Sequence, residues 1–285
     1  MPNENWLERL CAESTEFARL HQELQETRSA HSCSTIAVCG LMNAGKSSLL
    51  NAMTGHMKEE FFATKSTRST IEVKELTLNG ITYVDTPGID ACDTDDAQAW
   101  RGVANADWIV FAHNLRTGTL ETCEVDFLKE LQRRRPDIEQ HLVVALTNAE
   151  SAEDQKEDRV TAIRDILNTV FVQPPALVAT SYTRHRKGTL ENKPGLIERS
   201  GIAQLHQQLK QLIESCEGGW QAVRAAREEA RYAQFEALVD QAIRTREDQL
   251  KEITRQQQQT FTHWYTDLND LSANLRDRLT HFQSL

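Results

Sequence analysis

The chain has 285 residues, 39% hydrophobic and 26% charged, with a formal net charge of −10. That length holds one large domain with an appendage, or two small domains, and suffices to bury a full core. The acidic balance argues against a protein that coats nucleic acid. The six scattered cysteines form no Cys-x-x-Cys pair and fit reduced thiols better than disulfides or a metal site.

The opening MPNENWLERL lacks a signal-peptide pattern. No apolar run reaches the roughly 18 residues of a bilayer span, and neither a second-position glycine nor a CaaX ending marks a lipid anchor. The expectation is a cytoplasmic protein with no integral membrane segment. Residues 4 to about 28 read as an amphipathic helix, with Trp6, Leu7, Leu10, Phe17, Leu20 and Leu24 mostly three or four apart. TIAVCG (35–40) is a buried strand, and Lys46 to Gly55 a helix that Gly55 stops. IEVKELTLNGITYVDTPG (71–88) is a hairpin turning at Asn79-Gly80. DWIVFAHNL (107–115), HLVVALTN (141–148) and ALVATS (176–181) are further buried strands, with helices at 123–135 and 201–216. Strands alternating with helices predict an α/β fold, a mostly parallel sheet covered by helices. Beyond Gly218-Gly219, residues 220–283 contain no glycine or proline and are apolar at helical spacing. They predict one long helix or a hairpin of two, weakest at QQQQ (256–259), as a bundle or coiled-coil stalk. The expected division is an N-terminal helix at 1–32, a central domain at 33–217 and a helical segment at 218–285.

GLMNAGKSS (40–48) has the spacing G-x-x-x-x-G-K-S between a strand and a helix, the context a phosphate-binding loop requires. Gly40 and Gly45 permit a wide turn whose backbone N–H groups, those of Asn43, Ala44, Gly45 and the residues after them, face phosphate oxygens. The helix start at Lys46, Ser47 and Ser48 adds its positive end. Lys46 supplies a cation to the outer phosphates, and the Ser47 hydroxyl a ligand to Mg²⁺.

Taken together, GLMNAGKSSLLNAMTG and DTPG (85–88) resemble the P-loop GTPases of the translation-factor class. The resemblance is to their Era and tRNA-modification branch and to the dynamin-like G domains, over roughly residues 33–216. It implies that Asp85 holds Mg²⁺ through water and that Gly88 senses the γ-phosphate. Switch one then lies in 56–70, with Thr67 on Mg²⁺ and the γ-phosphate and Thr64 and Thr70 as alternatives. Where Ras-like enzymes carry a glutamine, this chain has Ile89. Asn43 matches an asparagine that holds K⁺ in cation-dependent members. Lys46, Asn43 and Thr67 thus form the expected catalytic set, with Arg68 or Arg101 as other sources of charge. The guanine motif departs from Asn-Lys-x-Asp: Thr147, Asn148, Ala149, Glu150. Glu150 can accept from the guanine edge, Asn148 cannot lay a lysine stem over the base, and Ser181 begins a further base loop. The acidic run 90–98 reads as the second switch, or as a metal site. The basic clusters 133–135 and 184–187 read as solvated, or as contacts to anionic lipid or RNA.

The implied activity is hydrolysis of GTP to GDP and phosphate, with Mg²⁺ and K⁺ as cofactors. A dynamin-like member would pair through its G domains with a second copy or a related GTPase, its helical ends moving with nucleotide state. The alternatives are an Era-like switch binding a ribosomal, RNA or protein effector, and a degenerate nucleotide-binding scaffold. Membrane surface and ribosome are both open as partners.

Overall fold

The computed structural model describes residues 6–26, 33–62, 74–89, 100, 102–216 and 218–283. The expectations for Thr64, Thr67, Arg68, Thr70, Arg101 and the acidic run 90–98 fall outside these residues.

The described strands form one six-stranded sheet in the order β2-β3-β1-β4-β5-β6. They are β1 (Ser34–Cys39), β2 (Lys74–Leu78), β3 (Ile81–Asp85), β4 (Trp108–Asn114), β5 (Leu142–Thr147) and β6 (Ala176–Ala179). Only β2 runs antiparallel, as the edge partner of β3, while β1 pairs in parallel with β3 and β4, and β5 with β4 and β6. The expected parallel fold is therefore the observed one. The β2–β3 turn forms at Asn79 and Gly80, both at positive φ (51° and 76°), as a tight hairpin of this hand requires. Every residue of β1 and β5 is buried, which is why both read as continuous apolar runs rather than alternating ones.

Helices cover the two faces. One apolar cluster joins Ala37, Ile109, Phe111 and Val144 to Phe127, Leu128, Ile163 and Leu167, which lie on α4 (Thr122–Arg134) and α5 (Lys156–Val170). The other joins Ile36, Val38, Val110 and Val143 to Leu49, Leu50, Ile202, Leu205 and Leu209, on α3 (Lys46–Thr54) and α8 (Ile202–Ser215). The short α6 (Tyr182–Leu190) and α7 (Pro194–Glu198) complete the chain between β6 and α8. Sequence analysis assigns no element to 156–170 or 182–198. Val160, Ile163, Leu167 and Val170 do recur helically there, but the charged run before them masks the start.

The amphipathic stretch near the N-terminus is two helices, α1 (Trp6–Glu13) and α2 (Thr15–Glu26), not one. Ser14 separates them: its Oγ accepts the Phe17 N–H at 3.2 Å, capping α2 where a continuous helix would run. The C-terminal segment is one helix, α9 (Gly219–Gln283). QQQQ does not break it, since glutamine is a good helix former whatever it fails to bury.

The chain divides into two compact units, one of residues 23–229 and one of 1–22 with 230–285. The first turns of α9 belong with the sheet, twelve residues past the boundary suggested by Gly218-Gly219. The reason is a buried clasp on Asp107, just before β4. The Asp107 carboxylate takes Arg224 Nε and Nη2 at 3.0 and 2.8 Å and Arg227 Nη2 at 3.3 Å. Asp107 is fully buried and both arginines nearly so, so the charges stay together. In the helical unit Phe17 packs on Phe235 with ring centroids 4.6 Å apart, and Arg246 pairs with Glu13.

Candidate functional site

The loop between β1 and α3 is shaped by two glycines that no other residue replaces. Gly40 has φ of 145°, and a Cβ there would sit 2.2 Å from the Ala112 carbonyl oxygen. Gly45 has φ of 84° and begins α3. Lys46 folds back over the loop, its Nζ donating to the carbonyls of Gly40 at 3.1 Å and Leu41 at 2.9 Å. The ammonium thereby stands across the mouth of the turn, where a phosphate oxygen would compete for it. Ser47 and Ser48 follow in the first turn of α3, which ends at Gly55, φ 80°, with the Gly55 N–H on the Asn51 carbonyl, as expected for a glycine stop.

DTPG lies directly against this loop. Thr86 Oγ1 donates to the Val38 carbonyl at 3.0 Å, the Ile89 N–H to the Gly40 carbonyl at 3.2 Å. A Cβ on Gly88 would meet the Met42 nitrogen at 3.0 Å. Ser47 Oγ donates to Asp85 Oδ2 at 2.7 Å, while Asp85 Oδ1 is buried without a hydrogen-bond partner. Burial raises the Asp85 pKa, against the lowering effect of the Ser47 hydrogen bond and of Lys46 and Lys74. An orphaned carboxylate oxygen beside a serine hydroxyl is an all-oxygen donor set with unmet negative charge, which fits Mg²⁺.

Ile89 does not face this site. It is 9% exposed and belongs to the cluster of α4 and α5, so its side chain is not offered where a glutamine would orient water. Asn43 is exposed, with φ of 61°.

The base-proximal residues come from the end of β5 and the start of α6. Thr147 Oγ1 donates to the Ala44 carbonyl at 2.6 Å, tying the sheet to the phosphate loop. Asn148 adopts a left-handed conformation, φ 54°, and turns its carboxamide onto Asn114 Oδ1 at 2.9 Å. Glu150 Oε1 accepts from Thr183 Oγ1 at 2.5 Å, and its Oε2 is buried without a partner. That oxygen retains its acceptor capacity for a donor such as a purine edge. Ser181 is committed elsewhere: its N–H bonds the Ser200 carbonyl, and its Oγ caps α6 by accepting the Arg184 N–H at 3.1 Å. The structure thus gathers Asn43 to Ser48, Asp85, Gly88, Thr147, Asn148 and Glu150 around one end of the sheet, with Ser181 a capping residue behind them.

Four residues of this region escaped the sequence reading. Thr183, the last residue of the TSYT run, holds Glu150. Asn51 fastens the chain leaving α3, its Oδ1 accepting the Phe61 and Phe62 N–H groups and its Nδ2 donating to the Phe62 carbonyl at 2.8 Å. His113 and Glu124 form a buried pair at 2.9 Å behind the loop. Burial disfavours the imidazolium, but the hydrogen bond and charge of Glu124 and the Gly118 carbonyl outweigh it and raise the His113 pKa. The helical period around Asn51 and Glu124 carried a signal only for Glu124, whose spacing from Glu121 forms a capping box.

A phosphate loop on a parallel sheet with Asp-x-x-Gly packed against it is the arrangement of the P-loop GTPase fold. Residues 35–169 match the family model described as 50S ribosome-binding GTPase. An uncharacterized protein of Acinetobacter baylyi is 34% identical over 184 residues, 63% of this chain and 42% of that protein. The tRNA modification GTPase MnmE of Salinibacter ruber is 33% identical over 112 residues, 36% of this chain and 24% of that one. The chain therefore spans less than half the length of these curated relatives. A chain from an oligomerised bacterial dynamin pair, 15% identical, shares the fold over 94% of this chain and 52% of its own, with a TM-score of 0.54.

Proposed function

We propose that this protein binds and hydrolyses GTP as a small dynamin-like GTPase, its helical ends responding to nucleotide state and to pairing of G domains. The observation that carries the catalytic part is the Ser47–Asp85 contact beneath the Lys46 loop, with Asp85 Oδ1 unpartnered. Ser47 and Asp85 would hold Mg²⁺, which supplies charge neutralisation between the phosphates. Lys46 stabilises the outer phosphates, the backbone N–H groups of 43–48 orient them, and the Gly88 N–H, packed on Met42, meets the γ-phosphate. Thr67 would join the metal and γ-phosphate from switch one. With Ile89 in the core, Asn43 would hold a K⁺ that supplies the charge for the transition state, or a second G domain would supply it. The fold shared with the bacterial dynamin pair over 94% of this chain supports the helical part, and that pair is described as sensing and tethering membranes, so a membrane surface is the partner this reading favours.

The test is GTP turnover per molecule over a hundredfold range of protein concentration in KCl, with ATP as control. A rate rising with concentration is expected. A flat, slow rate stimulated by ribosomes would instead support the Era-like reading, which the MnmE likeness and the family description favour. Tight nucleotide binding with no turnover would point to the scaffold.

A further inference from the structure

Asn114 is the last residue of β4, and it belongs to none of the GTPase motifs. Its Oδ1 accepts from two donors, the Arg116 backbone N–H at 3.1 Å and Asn148 Nδ2 at 2.9 Å. Because a backbone N–H can only donate, the orientation of the Asn114 amide is settled, and its Nδ2 is the donor. That Nδ2 reaches the Asn43 carbonyl at 3.4 Å. One residue along, Thr147 holds the Ala44 carbonyl directly. Two consecutive carbonyls of the phosphate loop are thus held by two consecutive residues at the end of β5, one directly and one through Asn114. Both ends of the longer link are asparagines at positive φ, 61° at Asn43 and 54° at Asn148, a conformation that other non-glycine residues adopt only at a cost.

We propose that Asn114 is a positioning residue of the nucleotide site. Its carboxamide carries the hold of Asn148 to the backbone of Asn43, and so fixes the left-handed turn from which the Asn43 side chain leaves the loop. In a chain with no lysine at 148, this amide relay is a second link, beside the Thr147 hydroxyl, between the base-proximal and phosphate-binding ends of the site. The inference rests on the reading of Asn43 as a cation-holding residue only for its second consequence, the K⁺ dependence. Its first consequence, nucleotide affinity, stands without it.

The test is titration of the full chain with a fluorescent, non-hydrolysable GTP analogue in KCl and in NaCl. Wild type, Asn114→Ala, Asn148→Ala and the double variant are compared, with melting temperatures measured without nucleotide. Asn114→Ala should weaken binding about fivefold, the loss of one solvent-exposed link worth roughly the net strength of a hydrogen bond, with an unchanged melting temperature. The double variant should be no weaker than Asn114→Ala alone, because a relay broken once cannot be broken again. Binding within twofold of wild type, or losses that add in the double variant, would overturn the proposal. Wild type with no preference for K⁺, but with the non-additive loss intact, would remove the cation reading and leave the relay standing.

Discussion

Asp107→Asn is the substitution whose cost follows most directly from the structure. The Asp107 carboxylate has no solvent exposure, and it accepts from two guanidinium groups and from the Thr35 N–H at 2.9 Å. Asparagine keeps the shape and one acceptor but removes the negative charge that Arg224 and Arg227 share in this buried clasp. Arg224 also donates to the Cys33 carbonyl and lies over the Trp220 ring at 4.5 Å, so it cannot leave without disturbing its neighbours. Breaking such a buried pair costs about 3–5 kcal/mol. For a unit of this size that is a fall in melting temperature of roughly 6–20 °C. The assay is thermal unfolding followed by circular dichroism, with Asp107→Asn/Arg224→Met as companion. The double variant should recover part of the loss, since it removes one of the stranded charges. A fall worth less than about 1 kcal/mol, or a double variant less stable than the single one, would refute the reasoning and demote the clasp to a surface-like ion pair.

Lys46→Ala should abolish GTP binding measured by fluorescence titration, because no other described side chain reaches the Gly40 and Leu41 carbonyls at the loop mouth; unchanged affinity would overturn the phosphate-loop assignment. Asn43→Ala should erase any advantage of KCl over NaCl in turnover, and a persisting advantage would move the cation elsewhere. Glu150→Asp should shift GTP-over-ATP discrimination in competition binding, since Oε2 is the free acceptor; discrimination that does not move would make Glu150 a loop carboxylate held by Thr183. His113, whose pKa is raised in the folded state, contributes stability that is fully present below its unfolded pKa and lost as pH rises through the higher folded value. Urea midpoints should therefore fall as pH rises above the ordinary histidine pKa of about 6.5, and Glu124→Gln should flatten that slope; an unchanged slope would show that the pair does not set it.

The sheet and the phosphate loop were legible because each depends on local rules. β1 and β5 are apolar throughout, the Asn79-Gly80 turn needs two positive φ angles, and Gly40 and Gly45 sit where a side chain would strike Ala112 or strain the turn. What was not legible depends on pairs far apart in the chain. Nothing near Asp107 announces that Arg224, 117 residues on, will fold into it. Asn114 gains meaning only once β4 and β5 lie side by side, Asn114 opposite Thr147. The break at Ser14 was missed because an apolar stripe continues across it, and periodicity is blind to a hydroxyl that caps. Ser181, placed after β6 as a base-loop residue, also caps α6 by accepting the Arg184 N–H, and its Oγ lies 3.2 Å from Thr183 Oγ1.

The burial of Ile89 also bears on how this protein can change. A glutamine introduced there would enter a closed apolar cluster, where an unpaired amide costs several kcal/mol, before it could touch a water molecule. No single substitution at that position carries the chain to the Ras-like way of orienting water; the side chain of residue 89 would first have to come out of the core. On the function proposed above, the packing that stabilises the domain would leave variants at this position to borrow their charge from an ion or a neighbour.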